Sequence, residues 1–221
     1  MVRNLEGKKV VVVGATGVLG AQISTQLNAM GAKVCAVVRN ADRLDPSISE
    51  HIIADITDSA GLRNAFSTLA PFDGVINAAG VVAFGTLAEL DDVTLANLFA
   101  INAIAPIVML RESAPHINDD GFFCNISAVV ALSPLPGMAA YSASKAGAWA
   151  GMAGATRELR RQKIDVIDAR PPHTETGLAT RPIAGEAPKL PTGLEPAFVA
   201  RQIIKGLQDG EKDLPVEHFS L

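Results

Sequence analysis

Aromatic residues are scarce in this chain. Its 221 residues include one tyrosine and one tryptophan, which excludes an aromatic-rich pocket as the recognition device. Cysteine is almost as rare. Cys35 and Cys124 each lie inside an apolar run that reads as a strand, with no Cys-x-x-Cys pair or histidine cluster nearby. Two buried reduced thiols are therefore expected, not a disulfide framework or a metal site. Basic blocks are missing and the net charge is −4, which argues against a nucleic-acid surface. The start, Met1-Val2-Arg3-Asn4-Leu5-Glu6-Gly7, lacks the apolar stretch of a signal peptide, and no segment is expected to reach membrane-span length. These absences lead to an expected cytoplasmic location, with neither membrane nor nucleic acid as a partner. Apolar residues are plentiful, at 48%, and suit one domain with a large core over residues 1–221.

Short β-branched runs alternate with longer Ala/Leu-rich segments. Strands are expected at Lys8–Val13, Ala32–Val38, His51–Ala54, Asp73–Asn77, Gly121–Ile126 and Ile164–Ala169. Helices are expected at Val18–Met30, Ser59–Leu69, Leu90–Glu112, Ala139–Gln162 and Pro196–Asp209. The strand runs lack strict alternation, as a parallel sheet covered on both faces requires. The expected architecture is α/β: a Rossmann-type doubly wound parallel sheet with helices on both faces. Pro171–Glu195, rich in Pro, Gly and Thr, is too long for a plain connection and reads as a substrate lid, with disorder as the alternative.

The first strand runs into Gly14-Ala15-Thr16-Gly17-Val18-Leu19-Gly20 and then a helix. That context is what a dinucleotide-binding turn needs. Gly14 permits the tight turn, Gly17 lets backbone N–H groups approach a pyrophosphate, and Gly20 lets the helix pack close to the strand. Thr16, Val18 and Leu19 complete the candidate cradle. The second strand ends Val37-Val38-Arg39-Asn40, with no carboxylate at its tip. A guanidinium there suits the 2′-phosphate of NADP(H), which is favoured, while NAD(H) stays possible if Arg39 is merely solvated.

Tyr141 and Lys145 are four residues apart, so on a helix both side chains leave one face. A lysine ammonium near a phenol favours the phenolate and brings the tyrosine towards working pH as a general acid/base. Ser127 ends the Gly121–Ile126 strand, where its hydroxyl could donate to a substrate oxygen or simply cap the next turn. Asn102 stands in an apolar stretch with Pro106 four residues on. In a helix its carbonyl would lose the usual N–H partner, giving either a kink that holds a water or a kink with a locally satisfied amide.

On these residues the chain resembles the short-chain dehydrogenase/reductase family. The resemblance rests on Gly14-x-x-Gly17-x-x-Gly20, Asp55 in Ala54-Asp55-Ile56-Thr57-Asp58, Asn77-Ala78-Ala79-Gly80, and Asn102, Ser127, Tyr141 and Lys145 in order. It implies that Asp55 and Ile56 hold the adenine, and that Asn77, Ala78, Ala79 and Gly80 line the cofactor. A turn or cap is the other reading of Asp55 and Asn77. It also implies that Tyr141 exchanges the proton, that Lys145 binds the nicotinamide ribose, and that Asn102 holds a relay water. Pro171, Thr174 and Thr176 fall where the family contacts the nicotinamide, but Pro172 replaces a usual glycine, and His173 and Glu175 are unusual there. The even glycine spacing is similar to extended or atypical branches, although the stretch after Glu195 is too short for their substrate domain. The expected activity is hydride transfer between NADP(H) and a small carbonyl or alcohol. A cofactor-binding regulator without turnover and a nucleotide-sugar epimerase or dehydratase are the alternatives. The family's habit, together with Gly147, Gly151 and Gly154, implies a homodimer or homotetramer.

Overall fold

The computed structural model describes residues 2–48 and 50–220. Its centre is a parallel sheet of β1 (Lys9–Val13), β2 (Lys33–Val38), β3 (Glu50–Ile53), β4 (Phe72–Asn77), β5 (Ile117–Ile126) and β6 (Asp165–Ala169). The strand order is β3-β2-β1-β4-β5-β6, the doubly wound arrangement expected from the sequence.

The valines of β1 show why the apolar runs do not alternate. Val10 and Val12 join one core and Val11 and Val13 the other. Helices α1 (Val18–Ala29) and α6 (Pro196–Asp209) cover the first core through Ile23, Leu27, Val199 and Ile203. Helices α2 (Ser59–Leu69), α4 (Ala105–Ser113) and α5 (Ala139–Glu158) cover the second through Phe66, Met109 and Met152. Each fully buried Val or Ile stabilises the fold by roughly 1.5–3 kcal/mol before entropy is charged. Both cysteines are buried and free, Cys35 facing the second core and Cys124 the first.

The expected Leu90–Glu112 helix departs from plan in three ways. It begins with α3 (Asp92–Phe99), capped by the Asp91 carboxylate on the Thr94 N–H at 2.7 Å. It then widens into a π-helical turn over Ala100–Ile104 and resumes as α4 with Pro106 in its first turn. The Ala105 N–H donates to the Ala100 carbonyl, so the ladder accommodates the missing proline N–H by widening the turn. The whole run, Asp92–His116, is 25 residues, and its apolar window has a mean hydropathy of 2.0. That corrects the expectation that no segment reaches membrane-span length. By length and composition this helix could cross a membrane, although 44% of its apolar window is buried against the rest of the chain.

The end of the chain was expected to add a short strand. Among the described residues only Leu214 pairs, with Ala169, and a 3-10 turn follows over Val216–Phe219.

At β1 the chain reverses direction across the sheet, with β2 and β3 on one side and β4 to β6 on the other. Register aligns Val13 with Val37 and with Asn77, and Asn77 with Asn125. The strand tips therefore open onto one edge, where such sheets bind ligands.

Candidate active site

The crevice at that edge is a cleft of about 880 Å³. Its floor begins at the glycine turn. Gly14 adopts φ +82°, and a Cβ there would lie 3.0 Å from the Ala79 nitrogen. At Gly20 a Cβ would lie 2.3 Å from the Gly14 carbonyl oxygen, so only glycine lets α1 pack this close. Gly17 is exposed and caps α1 without a side-chain acceptor, and the first turn carries no acidic residue. Backbone N–H groups and the positive end of the helix thus face the cleft unneutralised, which fits an anionic pyrophosphate. Thr16, Val18 and Leu19 line the same wall.

Beyond the tip of β2, the exposed Arg39 makes no hydrogen bond or ion pair among the described residues and lines the cleft beside Arg43. Asp55 and Ile56 lie close by. The Asp55 carboxylate accepts from the Thr57 N–H and hydroxyl at 2.8 and 2.7 Å, the turn-forming role foreseen as its alternative. Those donors, and more weakly the Arg39 charge, hold its pKa below the usual carboxylate value.

Asn77 is buried and does not line the cleft. Its Oδ1 accepts from the Ala79 N–H at 3.1 Å and its Nδ2 donates to Asn125 at 2.9 Å, shaping the Ala78-Ala79-Gly80 stretch that does line it. Asn102 is also withdrawn. Its Oδ1 accepts from the Val81 N–H at 3.0 Å, and its Nδ2 donates to the Val81 carbonyl at 2.8 Å and to Ser144 Oγ at 3.1 Å. The locally satisfied amide is thus the arrangement found for its side chain. A Cβ on Gly80 would lie 3.2 Å from both Asn102 Oδ1 and Lys145 Nζ, so this glycine sits between them.

Ser127, Tyr141 and Lys145 share the inner part of the cleft. Tyr141 and Lys145 leave one face of α5, as their spacing requires. The electrostatics differ from expectation. Lys145 Nζ donates to the Ile126 carbonyl at 3.1 Å, and burial lowers its pKa to about 8, with Asp168 opposing the fall. Burial pushes the Tyr141 phenol up to about 12, with no lowering contribution from Lys145. Desolvation of the phenolate is the cause.

The 171–195 loop closes one side. Pro171, His173, Thr174, Thr176, Leu178 and Arg181 reach the cleft. The loop's base is joined by Thr174 and Leu194, and its tip by Ile183 N–H to the Val82 carbonyl and Phe84 N–H to the Ala184 carbonyl. Thr174 spends its hydroxyl hydrogen on the Pro172 carbonyl at 2.9 Å. Thr176 Oγ1 instead accepts from the Leu178 N–H at 3.3 Å, which leaves its hydrogen free. Glu175 accepts from the Gly193 N–H at 2.7 Å and lies 3.4 Å from His173, so this pair shapes the loop base.

Sequence reasoning did not find Asn125, Asp168 and Arg170, a buried polar group behind Ser127. The available signal was polar residues inside strand runs, because buried polar groups require partners.

Three comparisons bear on this geometry. A 2,3-dihydro-2,3-dihydroxybenzoate dehydrogenase of Bacillus subtilis is 27% identical over 191 residues, 80% of this chain and 73% of its own length. A short chain dehydrogenase of Burkholderia cenocepacia, solved in complex with NADP, superposes with a TM-score of 0.86 at 26% identity, covering 97% of this chain and 90% of that one. A Serratia marcescens short-chain dehydrogenase/reductase variant gives 0.84 at 26% identity, with 99% and 100% covered. The sequence pattern of the family described as short chain dehydrogenase matches residues 8–186, from the threshold of β1 into the loop beyond β6. A match of that extent settles the affiliation: the chain belongs to the short-chain dehydrogenase family and is an oxidoreductase.

Proposed function

We propose that the chain uses NADP(H) to interconvert a small carbonyl compound and its alcohol, with Tyr141 as general acid/base. The observation that carries this reading is the convergence of Ser127, Tyr141 and Lys145 in the cleft that also holds the glycine turn and Arg39. Gly14, Thr16, Gly17, Val18, Leu19 and Gly20 would hold the pyrophosphate through backbone N–H groups, Asp55 and Ile56 the adenine, and Arg39 a 2′-phosphate. Ala78, Ala79, Gly80, Pro171 and Thr176 would line the nicotinamide side, with Thr176 preferred over Thr174 for its free hydroxyl hydrogen. When bound, the cofactor would provide the hydride donor or acceptor. Tyr141 gives the proton to the substrate oxygen in reduction and takes it back in oxidation. Its pKa of about 12 keeps the phenol protonated at neutral pH, which suits the reductive direction. Lys145 orients the ribose and adds positive charge beside the phenol, and Ser127 donates to the substrate oxygen. Asn77 and Asn102 hold this wall in place through Ala79 and Val81.

The 171–195 loop acts as the lid of one 221-residue domain, and its apolar residues Leu178 and Ala179, opposite Val82 and Met138, favour a modest hydrophobic substrate. Exposed Ile104 and Ile107, the latter crowding Gly151 on α5, support self-association as a dimer or tetramer, which light scattering would measure. The deciding experiment is a panel of ketones and aldehydes followed by NADPH absorbance, with Tyr141→Phe alongside. Turnover in the parent and its loss in the variant, with NADPH still bound, is the expected result. Undiminished turnover in the variant removes the proton donor and the mechanism with it.

A further inference from the structure

Ser127 does not offer the cleft a free hydroxyl. It donates its hydrogen to Asp168 on the neighbouring strand. The other carboxylate oxygen accepts from Asn125 Nδ2 at 2.8 Å, and Asn125 Oδ1 accepts in turn from Asn77 at 2.9 Å. Asn77, Asn125 and Asp168 are register partners, so this polar row crosses β4, β5 and β6 just below the cleft. Arg170 lies 3.5 Å from the oxygen that Ser127 uses, but directs both of its forks to Asp213 at 2.7 and 2.6 Å. Asp213 takes its short bonds, while the guanidinium charge still favours the ionised form of Asp168.

A hydroxyl has one hydrogen, and an ionised carboxylate only accepts. While Asp168 is ionised, the Ser127 hydrogen is held by it, and Oγ presents only lone pairs to the cleft. A carbonyl oxygen or an alkoxide also only accepts, so the two cannot bond. When Asp168 carries a proton, its own O–H can donate to Ser127 Oγ, and the serine hydrogen swings to the substrate oxygen.

We propose that Asp168 is a positioning residue whose proton decides which way the Ser127 hydroxyl points, so that carbonyl reduction draws on the protonated carboxyl and the ionised form disables Ser127 as a donor. The proposal rests on the reading of Ser127 given above. Burial raises the Asp168 pKa above the usual carboxylate value, against the Ser127 and Asn125 hydrogen bonds and the charges of Arg170 and Lys145. The ionisable groups facing it are Lys145 from α5, Arg170 at the end of β6 and Cys124 on β5, whose thiol is pushed up by burial and by Asp168 itself. Asp213, beyond α6, faces it through Arg170. Asp168→Asn locks the protonated pattern, because an amide oxygen can accept from Asn125 while its NH2 donates to Ser127.

Two measurements on the full chain test the idea. Carbon-13 NMR of aspartate-labelled protein follows the Asp168 carboxyl, assigned by its loss in Asp168→Asn. It should titrate above the ordinary carboxylate range near ~4, and Ser127→Ala, which removes a donor to the ionised form, should shift it further up. An Asp168 signal that titrates in or below the ordinary range, or that ignores Ser127→Ala, overturns the proposal. This arm needs no substrate, so it decides even if no carbonyl is reduced and the function proposed above fails. The second arm is kcat/KM for reduction against pH. The parent should fall about tenfold per pH unit above the Asp168 titration. Asp168→Asn should lose that limb and keep only the one belonging to Tyr141. An unchanged limb in the variant also overturns the proposal.

Discussion

The two ends of the cleft treat charge differently. At the end beside the tip of β2, Arg39, Arg43 and Asp55 line the cleft, and Arg39 and Asp55 are exposed, with Asp55 held below the usual carboxylate range by the Thr57 turn. At the inner end Tyr141, Lys145 and Asp168 are buried, and desolvation is the first cause of every shift. In the proposed reading, the first end would use charge to select a ligand. At the other, burial brings Lys145 and Asp168 closer to proton exchange near neutrality and moves the Tyr141 phenol away from it, at a cost in stability.

The comparison breaks most sharply at Tyr141. Tyr141→Phe should lower kcat by about 10³-fold, in the range of general acid catalysis, while fluorescence titration finds NADPH binding intact. Lys145→Met tests the stability cost next. The folded state lowers the lysine pKa from 10.5 to about 8. Below pH 8 the folded protein therefore carries a charge that burial penalises, and stability should rise as pH climbs from about 8 to 10.5. Removing the ammonium should stabilise the protein at pH 6 by roughly 3 kcal/mol, read from urea midpoints, while turnover collapses. The gain should vanish near pH 10.5. At the exposed end, Arg39→Ala should weaken NADPH about tenfold and leave NADH almost unchanged, and equal losses for both would end the cofactor preference. The smallest effect belongs to Asp55→Asn, expected to change NADPH affinity by less than about threefold, because an amide keeps the Thr57 turn.

Much of the fold was legible because parallel strands buried on both faces leave unbroken apolar runs, and the valines of β1 are plain to read. The glycine turn was legible because Gly14 and Gly20 have no room for a Cβ. Tyr141 and Lys145 could be placed on one face of a helix from spacing alone. Their ionisation could not, since desolvation depends on what the rest of the chain packs around them. Asn102 illustrates the same limit: a polar residue in an apolar stretch announces that it has a partner, but not that the partner is the backbone of Val81. Asp168 went unread because the groups that explain it lie on β5 and in the segment after α6, far away in the chain.

The tethering of the 171–195 loop has a consequence for traffic through the cleft. Two main-chain bonds fasten its tip to residues 82–84. Releasing them costs about 2 kcal/mol at roughly 1 kcal/mol each, so on those bonds alone only a few per cent of molecules, on the order of one in thirty, would have the flap detached at any moment. Residues 176–181 are knit together by bonds from Thr180 and Arg181 to the Gly177 carbonyl, whereas none of the described hydrogen bonds involves 186–192, so that flank is expected to yield first when the cleft fills.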